Sequence, residues 1–93
     1  YSQVGDGNTY LLDVADGNTS SGTNIRIWQN TFCDAQVFKL EKQSDGSYAI
    51  LTKITNNQSG LDVESGSKSS GANVQQWGYA GGAHQKWIFE KVN

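Results

Sequence analysis

The chain contains one pattern twice. Displacing the sequence by 49 residues lays Leu12-Asp13-Val14 on Leu61-Asp62-Val63, Gly17 on Gly66, and Ser20-Ser21-Gly22 on Ser69-Ser70-Gly71. Asn24 meets Asn73, Trp28 meets Trp77 and Gln36 meets Gln85. Between 11–40 and 60–89, 10 of 30 ungapped positions are identical. Conservative pairs continue the register: Ile25 with Val74, Phe38 with Trp87, Leu40 with Phe89. The second unit is preceded by Ser44–Ile50, whereas the first has no such lead and begins inside its first strand. Units of this size cannot bury an apolar face alone, so duplication forces copies to share one core. The expectation is a single domain over 1–93, with repeat one at 1–43 and repeat two at 44–93.

Each unit reads as short strands between turns. Apolar and polar residues alternate over Tyr48–Ile54 and again over Asn73–Trp77. The intervening clusters are rich in Gly, Ser, Asn and Asp, which accept positive φ or cap the backbone locally. Asp45-Gly46 is a hairpin signal. No segment has the apolar period and caps of a helix. The reading is all-β, with four short strands per repeat. Leu12, Val14, Ile25, Phe38, Leu61, Val63, Val74 and Trp87 are the expected core.

Composition narrows the function classes. Ser, Thr, Asn, Gln and Gly make up 43 of 93 residues, yet three Trp, four Tyr and three Phe argue against disorder. Seven Lys+Arg against nine Asp+Glu leave a net charge of −2, which offers no footprint for nucleic acid or an anionic membrane surface. No apolar run approaches the roughly 20 residues that cross a bilayer. Cys33 is the single cysteine, so there is no internal disulfide, and it reads as a small packing residue. With one histidine, His84, and one cysteine, no zinc-ligand spacing or Cys-His nucleophile pair stands out, and no metal or cofactor is expected. The sequons Asn18-Thr19-Ser20 and Asn57-Gln58-Ser59 are what chance produces in such a composition.

A common pattern describes both units: Leu-Asp-Val, a Ser-Ser-Gly turn, Asn-[Ile/Val]-x-x-Trp, then Gln-x-[Phe/Trp]. It resembles the ricin-type (ricin B-like) lectin repeat with its Gln-x-Trp ending. The match is best to the bacterial variety found as family 13-like carbohydrate-binding modules on polysaccharide-degrading enzymes. The resemblance covers nearly the whole chain. It implies a β-trefoil of three such repeats around a pseudo-threefold axis. With two repeats present, the expected fold is an incomplete ricin-type β-trefoil, two of the three lobes. Either a lobe is lost, or another chain completes it, or two repeats make a smaller fold. The lack of Met and the start at Tyr1 favour loss on the N-terminal side.

The resemblance also implies one saccharide pocket per lobe. The Asp of Leu-Asp-Val grips hydroxyls, since charge-assisted hydrogen bonds are short and directional. The Trp of the third motif covers the apolar face of the sugar ring. A polar residue before Gln-x-Trp completes the grip, and the Gln supports the Asp from behind. Carried onto repeat two, the set is Asp62, Trp77, His84 and Gln85, with Gln75 as an added polar wall and Tyr79 as a second contact. Carried onto repeat one, it is Asp13, Trp28 and Gln36. There Ala35 replaces the gripping residue, a loss of roughly 1–3 kcal/mol. Arg26 stands where Gln75 stands, and either reaches hydroxyls or pairs with Asp13 and blocks it.

Blander roles exist for the same residues. Gln36 and Gln85 can hold loop backbone, Trp28 and Trp77 can plug the core, and Asp13 and Asp62 can simply start turns. Asn24 and Asn73 read as turn residues.

The expected function is a non-catalytic module that binds galactose- or pentose-containing polysaccharide, plant-type polymers or galactosides, and targets an attached glycoside-degrading enzyme. Its setting is then secreted or extracellular. Its partners are the carbohydrate, a catalytic domain in the parent chain, and a second copy if one completes the trefoil. The alternative is an inhibitor-like protein-interaction trefoil with vestigial sugar sites. Catalysis is not expected, because hydrolysis needs two carboxylates across one cleft and Asp13 and Asp62 belong to different lobes.

Overall fold

The computed structural model describes residues 1–91. Val92 and Asn93, the end of the second repeat, lie outside the described residues. Six strands are present: β1 (Tyr10–Val14), β2 (Ile25–Gln29), β3 (Phe38–Lys42), β4 (Tyr48–Thr52), β5 (Ser59–Val63) and β6 (Val74–Gly78). Three-residue 3-10 turns follow every strand but β3, and no α-helix occurs among the described residues. The fold is all-β, that of an incomplete trefoil.

The 49-residue displacement is a structural operator. β1 pairs with β2 from Tyr10↔Gln29 to Val14↔Ile25, and β5 pairs with β6 from Ser59↔Gly78 to Val63↔Val74, in the same antiparallel register. The turns after β1 and β5 agree residue by residue. Asp16 and Ser65 are both left-handed, at φ 54° and 56°, and Gly17 and Gly66 follow at 62° and 61°. The Asn24 and Asn73 carbonyls accept the Ala15 and Glu64 amides, each at 2.9 Å, so both asparagines hold the turn through their backbone.

The lobes are joined by a hairpin. β3 of the first unit pairs with β4 of the second across residues 43–47, where Asp45 Oδ1 accepts the Ser47 amide at 2.9 Å and Gly46 takes a φ of 89°. The expectation of about four strands per repeat is corrected here: each unit has three among the described residues. The counterpart of β3 in the second unit, 87–91, has no following hairpin partner among the described residues. It makes only one bridge, Trp87 to Tyr48. An extended segment without a ladder partner does not register as a strand.

Between lobes, the β6 residue Gln76 docks on the first-lobe turn. Its amide donates to Thr23 O and its carbonyl accepts from Gly22, each at 2.7 Å. Its side chain, fully buried, donates to Asn18 O and Ser20 O at 3.0 and 3.2 Å. Ile27 occupies the same position in β2 and stays 43% exposed.

That asymmetry explains where the expected core departs. Val14 and Leu61 are buried, while Ile25, Phe38, Val63, Val74 and Trp87 are only half-buried. Leu12, expected in the core, is 44% exposed. Leu12, Ile25, Ile27, Ile50, Val74 and Trp87 line an open apolar concavity of about 390 Å³. Two lobes cover only part of a core shaped for more. The buried apolar residues are Val14, Ala35, Ala49, Leu51 and Leu61.

Candidate functional site

Register puts the site together. Asp62 sits on β5 directly opposite Gln75 on β6, and Asp13 on β1 sits opposite Arg26 on β2. Opposed side chains on one sheet face lie within reach of each other. Residues two apart along a strand share a face, so Trp77 and Trp28 stand beside Gln75 and Arg26. Neither aspartate begins a turn; both are strand residues.

In the second lobe Gln75 Nε2 donates to Asp62 Oδ1 at 3.2 Å, and Gln85 Nε2 donates to Asp62 Oδ2 at 3.0 Å. His84 Nε2 stands 3.2 Å from the same Oδ2. A carboxylate offers about four acceptor positions, so one on Oδ1 remains for an incoming hydroxyl. Gln85 also anchors the loop that follows β6: its Nε2 donates to Gly78 O at 2.9 Å, and its Oε1 accepts the Ala80 and Gly81 amides at 2.7 and 3.0 Å. With 1% exposure, Gln85 positions Asp62 from behind and is not part of the open surface.

These groups surround an open notch of about 470 Å³ lined by Asp62, Glu64, Ser65, Gln75, Trp77 and His84. The Trp77 indole is 46% exposed and does not plug the core. Chemically, the notch offers a fixed carboxylate at its base, an imidazole and an amide beside it, and an aromatic wall. That combination suits a small polyol with one apolar face. The imidazole position depends on a glycine. A Cβ at Gly82 would lie 2.5 Å from His84 Cε1, so a larger residue there would push the ring away from Asp62.

Glu64 and Ser65 are wall residues that motif reading missed. The available signal was proximity: Glu64 follows Asp62 by two residues and lies in the tight turn that folds back over the strand end. Tyr79, expected as a second contact, is placed elsewhere. The β6 strand ends at Gly78, and the Tyr79 ring packs toward Gly60 while its buried hydroxyl finds no hydrogen-bond partner.

In the first lobe the supporting glutamine repeats its role. Gln36 Nε2 donates to Asp13 Oδ2 at 3.0 Å and Gln29 O at 2.7 Å, and its Oε1 accepts the Thr31 amide at 2.9 Å. The other side differs. Arg26 Nε donates to Asp13 Oδ1 at 2.9 Å, a terminal guanidinium nitrogen reaches Asp16 at 3.6 Å, and the guanidinium lies over the Trp28 ring, 4.0 Å from its centroid. Such stacking contributes roughly 0.5–2 kcal/mol, more as it is desolvated. The groove beside Trp28, about 330 Å³, is lined by Tyr10, Ile27 and Gln29 and does not reach Asp13.

Comparison with known proteins accords with this geometry. A family model described as ricin-type beta-trefoil lectin domain-like matches residues 3–77. Among solved structures, ThreeFoil, a designed 3-fold symmetric protein, is 37% identical with a TM-score of 0.79, covering 84% of this chain and 54% of that one. An exo-beta-1,3-galactanase from Clostridium thermocellum is 30% identical at TM-score 0.77, covering 83% of this chain and 16% of the enzyme. A mosquitocidal holotoxin is 26% identical at TM-score 0.77, covering 92% of this chain and 10% of the toxin. The chain thus spans about half the length of the designed protein and a small part of the other two. No curated protein matches the sequence.

Proposed function

The chain belongs to the ricin-type β-trefoil lectin domain-like family, and we propose that it serves as a non-catalytic saccharide-binding module. The notch in the second lobe is its site. One observation carries the reading: a carboxylate held by two amide donors, with an imidazole nitrogen 3.2 Å away, sits at the base of an open hollow whose wall is a half-exposed indole. Asp62 accepts a hydroxyl of the sugar through its remaining lone pair. Gln75 and His84 complete the polar grip, Trp77 covers the apolar ring face, and Glu64 borders the rim.

The ligand class is a galactose- or pentose-containing polysaccharide, since these sugars pair vicinal hydroxyls with an apolar face. A role in targeting an attached glycoside-degrading enzyme, outside the cell, follows from the same reading, and the galactanase neighbour supports it. A further lobe, from a longer parent chain or a second copy, covers the apolar face around Leu12 and Ile27. The apparent mass in solution separates those two sources.

Retention on a polysaccharide affinity gel tests the site. The Asp62→Ala/Trp77→Ala double variant is expected to elute with the void while its β-sheet circular dichroism persists. Unchanged retention of a folded double variant would refute the assignment. A sugar-release assay on the isolated chain is expected to stay at background, and turnover would replace binding with catalysis.

A further inference from the structure

We infer that the first lobe is a saccharide pocket closed by its own arginine, so that Arg26 sets the binding valency of the chain at one per two lobes. The inference rests on the saccharide reading of the second lobe. In that lobe a ligand needs a free carboxylate position and an uncovered indole face. Arg26 puts a charged donor, its Nε, on Asp13 Oδ1 where Gln75 puts a neutral amide on Asp62 Oδ1, and it lays its guanidinium plane over Trp28. Asp16 reaches a third edge of the same guanidinium. Gln36 on Asp13 Oδ2 repeats Gln85 on Asp62 Oδ2, so the closure lies in the charged donor and the covered ring.

A sugar entering here would have to expel a cation from between two carboxylates and an aromatic face. A neutral polyol returns no charge in exchange, and the pair is partly desolvated, with Asp13 nearly buried. An anionic sugar fares no better, because the cluster of Asp13, Asp16 and Arg26 carries a net negative charge. Arg26 thus acts as an internal substitute for the ligand.

Opening the pocket requires more than removing Arg26. The second-lobe grip includes His84, whose ring needs Gly82, and the first-lobe counterparts are Ala35 and Cys33. The matched graft is therefore R26Q/C33G/A35H.

The test is titration of the ¹⁵N-labelled full chain with galactose, xylose and arabinose in turn, following the three indole Nε1–H signals, with Trp28→Phe and Trp77→Phe to assign them. In the parent protein the Trp77 signal is expected to move and the Trp28 signal to stay. In R26Q/C33G/A35H both are expected to move, with stoichiometry rising from one sugar per chain to two. Movement of the Trp28 signal in the parent protein overturns the inference. So does a silent Trp28 in a graft whose spectrum stays dispersed and whose Trp77 responds. If no indole responds to any of the three sugars in either protein, the saccharide reading itself fails and this inference with it. A sugar-free readout stands beside these: the Arg26 Nε–H signal is expected to be shifted by the indole and protected from exchange. A signal at the free-solution position shows an open pocket and overturns the closure.

Discussion

The two lobes share a backbone and part company in a few side chains around one carboxylate. Strand register, left-handed turn residues and the three-way grip of the supporting glutamine coincide under a 49-residue displacement. Against that frame Gln75 becomes Arg26, His84 becomes Ala35, Gly82 becomes Cys33 and Glu64 becomes Ala15. The second lobe has an open notch at its aspartate, whereas the groove beside Trp28 in the first does not include Asp13. Scaffold and site are thus separable: the glutamine that builds the pocket persists where its wall residues have changed.

The sharpest way to break the comparison is to remove the shared element. Gln85→Ala leaves Asp62, two loop amides and a strand carbonyl without their buried partner, and is expected to cost roughly 3 kcal/mol and abolish sugar retention. Gln36→Ala, in a more exposed loop, is expected to cost about 1–2 kcal/mol. Urea unfolding of both variants reads the difference; equal losses would mean that the lobes are equally dependent on the device.

Trp77→Ala is expected to weaken saccharide affinity by about 10- to 100-fold, about 1.4–2.8 kcal/mol, whereas Trp28→Ala leaves affinity unchanged. Calorimetric titration decides, and equal losses would erase the functional asymmetry. His84→Ala imports the first-lobe residue into the second lobe and is expected to weaken binding by about fivefold, near 1 kcal/mol.

A smaller contrast lies in the loops. Phe32, 91% exposed, holds φ 54° where the second lobe has Gly81 at φ 80°. Phe32→Gly is expected to stabilise the chain by about 1 kcal/mol or less, the left-handed penalty less the entropy that glycine adds to the unfolded chain. A loss in thermal unfolding would show that the aromatic ring makes up for its strain.

The smallest effect concerns charge. The Ser47 hydroxyl and amide, followed by Lys86, hold the Asp45 carboxyl down at about 2, against an ordinary 3.8. The first-lobe counterpart of Lys86 is Val37, so this tie reaches the second lobe alone. A lowered folded-state pKa means that the stabilisation is complete above 3.8 and is lost as pH falls through about 2. Asp45→Asn is therefore expected to lower Tm slightly at neutral pH, with the gap to the parent protein closing toward pH 2. A gap that widens with acid would contradict the sign.

Repetition in the sequence determined most of the fold, and the family resemblance named the anchors of the candidate site. Asp13, Asp62, Gln36, Gln85, Trp28 and Trp77 recur at fixed spacing, and alternation with turn chemistry suffices to read strands, because side-chain direction in a strand has period two. The tertiary structure decided what depends on two segments meeting. Leu12 and Ile27 read as apolar, yet their burial depends on a neighbouring lobe. Glu64 joined the site because a turn folds back, and Tyr79 left it because a strand ended one residue earlier. Arg26 was legible as a residue of two opposite roles, and cross-strand register brings it against Asp13, the pairing on which the proposed closure rests. A guanidinium is long enough to serve a ligand or replace one, and only the partners within its reach settle which.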